Sequence, residues 1–204
     1  MQQAHPTEKT RMNGSPYLFI KASADHIPLA NNSVSLVIAT PPIFGARHRP
    51  KTDYCTSDPE EYDLFIRRFL KEATRIVQPR RHILLVESRT QPRGSKGARP
   101  IIFHVLQKQM SHGHWTDQQI RSETFFTHFL DVQGFPWWAF SLRLYRSLIR
   151  RYSEPGDIVA HVFSGSGNGA IAALELARTP ILIDLHYHRQ ISRRLRKKVP
   201  LIPS

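Results

Sequence analysis

Short apolar runs bounded by turn residues alternate along this chain with longer stretches whose apolar residues recur every three or four positions. The first kind predicts strands and the second amphipathic helices. Leu18–Ala22 predicts a short strand, and 25–32, with Pro28 and Asn31-Asn32, a loop or short turn. Val34–Ala39 and His82–Val86 predict buried strands, with His82 read as a surface residue at a strand end. Between them Leu64, Phe65, Phe69, Leu70, Ala73, Ile76 and Val77 share one helical face. Asp58-Pro59 supplies a polar cap followed by proline in the first turn, and Gln78-Pro79 a stop, so a helix is expected over 60–77. Further helices are expected over 101–109, over 139–152 with Arg143, Arg146, Arg150 and Arg151 on its other faces, and over 189–198. Residues 1–15 show no periodicity and are expected to be disordered, with a single domain over 16–204.

Two stretches carry candidate chemistry. In the first, Ile158–Phe163 reads as a buried strand and runs into Ser164-Gly165-Ser166-Gly167-Asn168-Gly169; an Ala/Leu/Glu-rich helix follows over 170–177. Glycines there let a ligand approach the backbone, and the helix start offers free N–H groups. A second apolar strand, Ile181-Leu182-Ile183, ends at Asp184, where α/β folds hold ribose hydroxyls. A glycine triplet taken alone is equally a tight turn, and Asp184 equally a helix cap or a surface carboxylate. The ordered succession of strand, glycines, helix, strand and acid favours a nucleoside ligand.

The second stretch is Thr40-Pro41-Pro42-Ile43-Phe44, directly after the strand at 34–39. Two prolines stiffen the chain as it leaves the strand and bring no N–H of their own, so carbonyl acceptors are available to grip an amino group. Thr40 adds a hydroxyl and Phe44 a ring able to stack on a planar base. Without the glycine loop downstream, a plain strand-ending turn with Phe44 in the core would be the simpler reading.

Charge then narrows the partner. The 204 residues carry a formal net charge of +13, which usually answers a polyanion, most often nucleic acid, although a basic solubilising surface is the simpler alternative. Arg47, Arg49, Arg89, Arg93, Lys96 and Arg99 lie in Gly/Pro-punctuated segments suited to following a phosphate backbone. Phe125, Phe126, Phe129, Trp137 and Trp138 are expected mainly in the core, with one or two rings left for base stacking. The single cysteine, Cys55, leaves no internal disulfide and points to a reducing compartment. His112 and His114 lack acidic or cysteine companions at ligand spacing, so no metal is expected. No apolar run is long enough for a membrane span and the N-terminus has no signal-peptide core, so a cytoplasmic protein is expected.

Together, Thr-Pro-Pro-Ile-Phe-Gly and the later Gly-Asp-Ile-Val, Phe-Ser-Gly-Ser-Gly and Ile-Asp elements resemble the amino-group DNA methyltransferases (adenine-N6 or cytosine-N4). The Pro-Pro motif precedes the cofactor motif, as in the permuted beta-class branch. The resemblance covers about 17–45, 60–86 and 133–198. It implies a Rossmann-like fold with a mostly parallel, seven-stranded mixed sheet flanked by helices. It also implies S-adenosylmethionine as methyl donor and the exocyclic amine of adenine or cytosine in double-stranded DNA as target, as in restriction-modification. Carried over, Thr40 and Pro41 accept the amine N–H bonds, with Pro42, Ile43 and Phe44 completing the loop. Phe163, Ser164, Gly165, Ser166, Gly167 and Asp184 hold the cofactor, and Ser23 stands where the family reads the cofactor's adenine with an Asp. Ser35 and His161-Val162 likewise replace family acids. A recognition insertion is expected at about 88–132, on a monomer or homodimer. The competing expectation is a methyltransferase-like protein that binds DNA without methylating it.

Overall fold

Strand β2 (Val34–Ala39) is buried at every position because sheet neighbours flank it and helices cover both its faces. It lies in a seven-stranded sheet with β1 (Leu18–Ile20), β3 (Val77–Ser88), β4 (Arg99–Ser111), β5 (His114–Thr127), β8 (Ile158–Val162) and β9 (Thr179–Ile183). The spatial order is β1-β9-β8-β2-β3-β4-β5. Only β4 and β5 run antiparallel to their neighbours. A separate two-stranded ribbon joins β6 (Leu130–Asp131) to β7 (Trp138–Ala139). This computed structural model describes residues 16–42, 58–88, 99–111, 114–127, 130–131 and 138–198. The expected disorder of 1–15 falls outside that set, as do Ile43, Phe44, Arg47, Arg49, Arg89, Arg93 and Lys96 and the side chain of Arg99.

Helix α1 (Pro59–Ile76) starts where its cap dictates: the Asp58 carboxylate accepts from Glu60 N at 2.8 Å and Glu61 N at 3.3 Å, with Pro59 in the first turn. Its buried Phe69, Ala73 and Ile76 cover one face of the sheet, built from Val37, Ala39, Ile83, Leu85, Ala160, Val162, Ile181 and Ile183. Helix α2 (Leu142–Tyr152) and helix α3 (Asn168–Glu175) cover the opposite face, where Leu36, Ile38, Leu84, Val86 and Val159 meet Tyr145, Leu148, Ile149 and Ala172. Helix α4 (His188–Lys198) adds Ile191 and Leu195 over Leu182. Alternation along β2 from Leu36 onward and along β8 therefore feeds both cores, which is why these strands read as apolar runs. No helix among the described residues is long and apolar enough to cross a membrane.

Two expectations are corrected. The helix predicted over 101–109 is strand β4. Ile101, Ile102, Val105 and Leu106 have a helix-like spacing, but here Phe103 and Val105 pack into one core while Leu106 packs into the other. A strand covered on both faces imitates a helical stripe, and its β-branched content was the opposing signal. Consequently much of the 88–132 stretch belongs to the sheet itself, as the β4–β5 hairpin. His82, expected at a surface strand end, sits within β3, half-buried, its ring 5.2 Å from that of Tyr152. Burial and nearby Arg81 lower its pKa. The strand begins five residues earlier than expected because 78–81 bulge out around Pro79, with Arg80 at φ 62°, before pairing resumes at His82.

Candidate active site at the switch point of the sheet

The connection after β2 passes through α1 to β3 on one side, and that after β8 passes through α3 to β9 on the other. Between β2 and β8 the two chain directions part, leaving a crevice at their carboxyl ends, where open α/β sheets bind ligands. Both candidate stretches lead off from that point. Thr40 N donates to Val162 O at 3.3 Å and Thr40 Oγ1 to Phe163 O at 3.0 Å, so one residue ties the Pro-Pro junction to the glycine loop across 123 positions of sequence. Pro41 and Pro42 are buried. Tyr62 of α1 donates to the Pro42 carbonyl at 3.0 Å, which leaves the Pro41 carbonyl as the proline acceptor without a bond among the described residues.

The glycine loop opens with Phe163 at φ 58°, an unfavourable conformation for a side chain that is held by two edge-on ring contacts, Phe65 at 5.8 Å and Phe69 at 5.6 Å. Phe163 is thus an anchor in the α1 core, and its carbonyl is the part facing Thr40. Ser164 is also framework: its hydroxyl bonds His161 O at 2.8 Å, with Ile183 O at 3.2 Å. Gly165 is the open point, because a Cβ there would meet only Phe163 O, at 3.7 Å. At Gly167 (φ 76°) a side chain is excluded both by conformation and by Ile191 Cγ2 of α4, 3.0 Å from the Cβ position. Gly167 caps α3 with no side-chain bond, so first-turn N–H groups remain for an anionic ligand group.

Asp184 lies beside this loop as expected, and its carboxylate also holds the turn that leads to α4, without capping that helix. One carboxylate oxygen accepts from Gly165 N at 3.1 Å; the other accepts from His186 N at 2.9 Å and Tyr187 N at 3.3 Å. A carboxylate offers roughly four lone-pair sites, so acceptor capacity remains for a ligand hydroxyl. Ser23 gives its hydroxyl to Asp25, a carboxylate just past β1 in the segment expected as a loop or short turn. Because Asp184 N bonds Ile20 O at 3.2 Å, the end of β1 and these two acids share one sheet edge. The available signal was simply an acid within a few residues of a strand end. Arg194 was also missed: from α4 it donates to Ser166 O and, at 2.6 Å, to Asn168 Oδ1. Asn168 Nδ2 in turn holds Phe140 O at 2.8 Å, which locks the approach to α2 onto the loop.

His161, in place of a family acid, does not do an acid's work. It is 3% exposed on the α2/α3 face, Nε2 has no hydrogen-bond partner among the described residues, and the Tyr145 ring stands edge-on at 5.6 Å. Burial pushes its pKa down to about 3 and keeps the imidazole neutral. The stability this confers is complete above the unfolded-state value of ~6.5 and drains away as the pH falls toward the folded-state value. Within that window the unfolding free energy should fall by up to about 1.4 kcal/mol per pH unit. Urea midpoints of the wild type should therefore drop between pH 6.5 and 5, while those of His161→Gln drop less steeply, His82 still contributing in the same direction. Parallel curves would mean that His161 is protonated in the fold.

Residues 138–192, from β7 through Asp184 into α4, match the family model of the DNA methylases. Comparison with curated protein sequences gives no match. Among solved structures, the chain is similar to TTHA0409, a putative DNA modification methylase from Thermus thermophilus in complex with S-adenosyl-L-methionine. The TM-score is 0.60 at 20% identity, over 91% of this chain and 97% of that one. The PvuII DNA methyltransferase (cytosine-N4-specific) gives a TM-score of 0.60 at 13% identity, over 92% and 90%. The M1.HpyAVI–SAM complex gives 0.51 at 16%, over 88% and 98%. The fold is that of the Rossmann-like S-adenosylmethionine-dependent methyltransferases.

Proposed function

We propose that this chain is an S-adenosylmethionine-dependent methyltransferase acting on the exocyclic amine of adenine or cytosine in DNA. The observation that carries the reading is the junction at the switch point, where the Thr40 hydroxyl, bonded to Phe163 O, sets the Pro-Pro acceptors against the glycine loop. The family match over 138–192 and the fold support it.

The residues present fit the cofactor. Gly165 leaves the loop backbone approachable, the α3 start offers N–H groups, and Asp184 retains acceptor capacity for ribose hydroxyls. Ser23 and Asp25 supply polar atoms at the same edge. When bound, S-adenosylmethionine supplies an electrophilic methyl group on a sulfonium. The protein's share is to make the amine a nucleophile. An exocyclic amine is weak because its lone pair is delocalised into the ring. One N–H donated to Thr40 Oγ1 and the other to the Pro41 carbonyl localise that pair on nitrogen. Alignment at close range then supplies much of the acceleration. Reaching this crevice requires the base to leave the duplex. Ile43 and Phe44 are proposed to pack against it, and Arg47, Arg49, Arg89, Arg93, Lys96 and Arg99 to hold the backbone. The arginines of α2 add a groove of about 540 Å³ lined by Arg143, Arg146, Arg150 and Arg151.

The second reading, DNA binding without turnover, draws on the Asp184 carboxylate already accepting three backbone N–H groups. Transfer of a labelled methyl group from S-adenosylmethionine to mixed DNA, followed by nucleoside analysis, decides between them. N6-methyladenine or N4-methylcytosine is expected; DNA binding without label in any base would leave the second reading.

A further inference from the structure

The two helical layers that cover the sheet differ sharply in charge. Helix α1, on one face, carries four Lys and Arg against four acids. Helices α2, α3 and α4, on the other, carry ten against a single acid, Glu175. A net +9 of the chain's +13 therefore sits in one layer. Packing turns that charge outward. Helix α3 meets α2 through Ala172 and Ala173 and α4 through Ala170 and Ile171, so the three helices lie side by side. Helix α2 buries Tyr145, Leu148 and Ile149 and exposes Arg143, Arg150 and Arg151. Helix α4 buries Ile191 and Leu195 and exposes Arg189, Arg193, Arg196 and Lys197. Among the described residues, Arg146 alone of this layer's exposed and half-buried cations is paired with an acid, Glu175 at 2.8 Å.

Such a layer is unfavourable in the protein by itself. Arg143 and Arg189 stand in first turns that hold no acid, at the positive ends of their helix dipoles. Arg146 and Arg150, like Arg189 and Arg193, are like charges four residues apart on one helix, and they repel. Helix α1 shows the ordinary arrangement, with Glu60 and Glu61 in its first turn and Arg67 paired with Asp63. Solubility does not require one sign of charge on one layer, whereas a polyanion does. We propose that the outer face of the α2–α3–α4 layer is a second nucleic-acid surface, which holds the phosphate backbone of duplex DNA outside the crevice. The choice of DNA as the polyanion rests on the methyltransferase reading; the cationic face does not. Eight of the ten cations are arginines, whose planar forks suit phosphate oxygens. Those of α2 line, with Ser147, the groove of about 540 Å³. Both helices start at the crevice edge of the sheet and lead away from it, since α2 runs into the start of β8 and α4 follows the end of β9. At about 1.5 Å per residue, Arg151 and Lys197 lie about 12 Å further from that edge than Arg143 and Arg189. They reach DNA beyond the target base, without reading sequence, and keep the protein on the duplex between encounters with a target.

The test is the salt dependence of binding to a short duplex of mixed sequence, read by fluorescence anisotropy. The triple variant Arg193→Gln, Arg196→Gln, Lys197→Gln should bind about 10-fold or more weakly near 0.1 M salt, and its log–log salt slope should flatten by about 2 to 3. The α2 pair Arg150→Gln, Arg151→Gln should flatten the slope by about 1 to 2. Arg67→Gln, Arg68→Gln, Lys71→Gln removes the same charge from α1 as the first triple does from α4, and should leave the slope near the wild-type value. All these side chains are exposed, so thermal midpoints should hold in every variant. Equal flattening by the α1 and α4 triples would reveal a general charge effect and overturn the proposal. An unchanged slope in both the α4 and α2 variants would overturn it as well. Duplex RNA competing better than duplex DNA would overturn DNA as the partner. The readout needs no turnover: a wild type that binds through this face but transfers no methyl group would overturn the functional reading and leave the surface standing.

Discussion

Gly169→Ala is expected to destabilise the protein by about 3 kcal/mol, although alanine is the better helix former by ~1 kcal/mol. Gly169 lies in the first turn of α3, against the imidazole of His161. A Cβ built there falls 2.2 Å from Cε1 and 2.3 Å from Nδ1, closer than any non-bonded contact allows. His161 has little room to yield, since it sits on the buried strand β8 with the Tyr145 ring against it. Either α3 moves off the sheet, carrying the glycine loop with it, or the imidazole leaves its rotamer. Both outcomes cost packing in a core of near-crystalline density. The effect should reverse in a His161→Ala background, where the added methyl enters space that the ring has vacated. Urea denaturation of the four proteins measures this. Stabilisation by Gly169→Ala in the wild type would show that the helix and ring are not in contact.

Asp184→Ala should have the largest effect on cofactor binding. Removing a charged acceptor from a ligand hydroxyl costs about 1.5–3 kcal/mol, which is roughly a 10- to 100-fold rise in the dissociation constant of S-adenosylmethionine. The variant also loses the acceptor for Gly165, His186 and Tyr187 N–H groups, so a stability loss of about 1–2 kcal/mol should accompany it. Asp184→Asn separates the two. The amide keeps one oxygen, enough for His186 and Tyr187 N–H but not for Gly165 N–H as well, so part of the stability should return, while affinity recovers less. Full cofactor affinity in Asp184→Ala would confine the residue to holding the loop and the turn.

The elements that place the site were legible because each carries its own local signature. The unbroken apolar run of β2 ends at a Pro-Pro pair, α1 begins at Asp58-Pro59, and Gly165 and Gly167 stand between a strand and a helix. Asp184 was legible as an acid at a strand end, but its bonds to the glycine loop and to the turn before α4 were not, because a turn-holding acid and a ribose acceptor use the same residue type in the same place. The β4 segment misled because burial on both faces produced a helical spacing. What local sequence cannot express is adjacency. Thr40 and Phe163 are joined across the β2–β8 pair, and His161 is explained only by Gly169 and Tyr145, which reach it from two different helices. From the sequence, His161 was a replaced acid; in the fold it is a neutral core ring. Tyr145 likewise read as one more apolar position of α2, since nothing local marks its ring as the one seated against His161.

The central claim is that the crevice between β2 and β8 is a nucleoside-cofactor site facing an amine-gripping junction. Calorimetric titration of S-adenosylmethionine into the wild-type protein tests it most directly. One-to-one binding in the micromolar range, weakened by Asp184→Ala, is the predicted result. No heat up to millimolar cofactor, from a protein that is folded and still binds DNA, would contradict it.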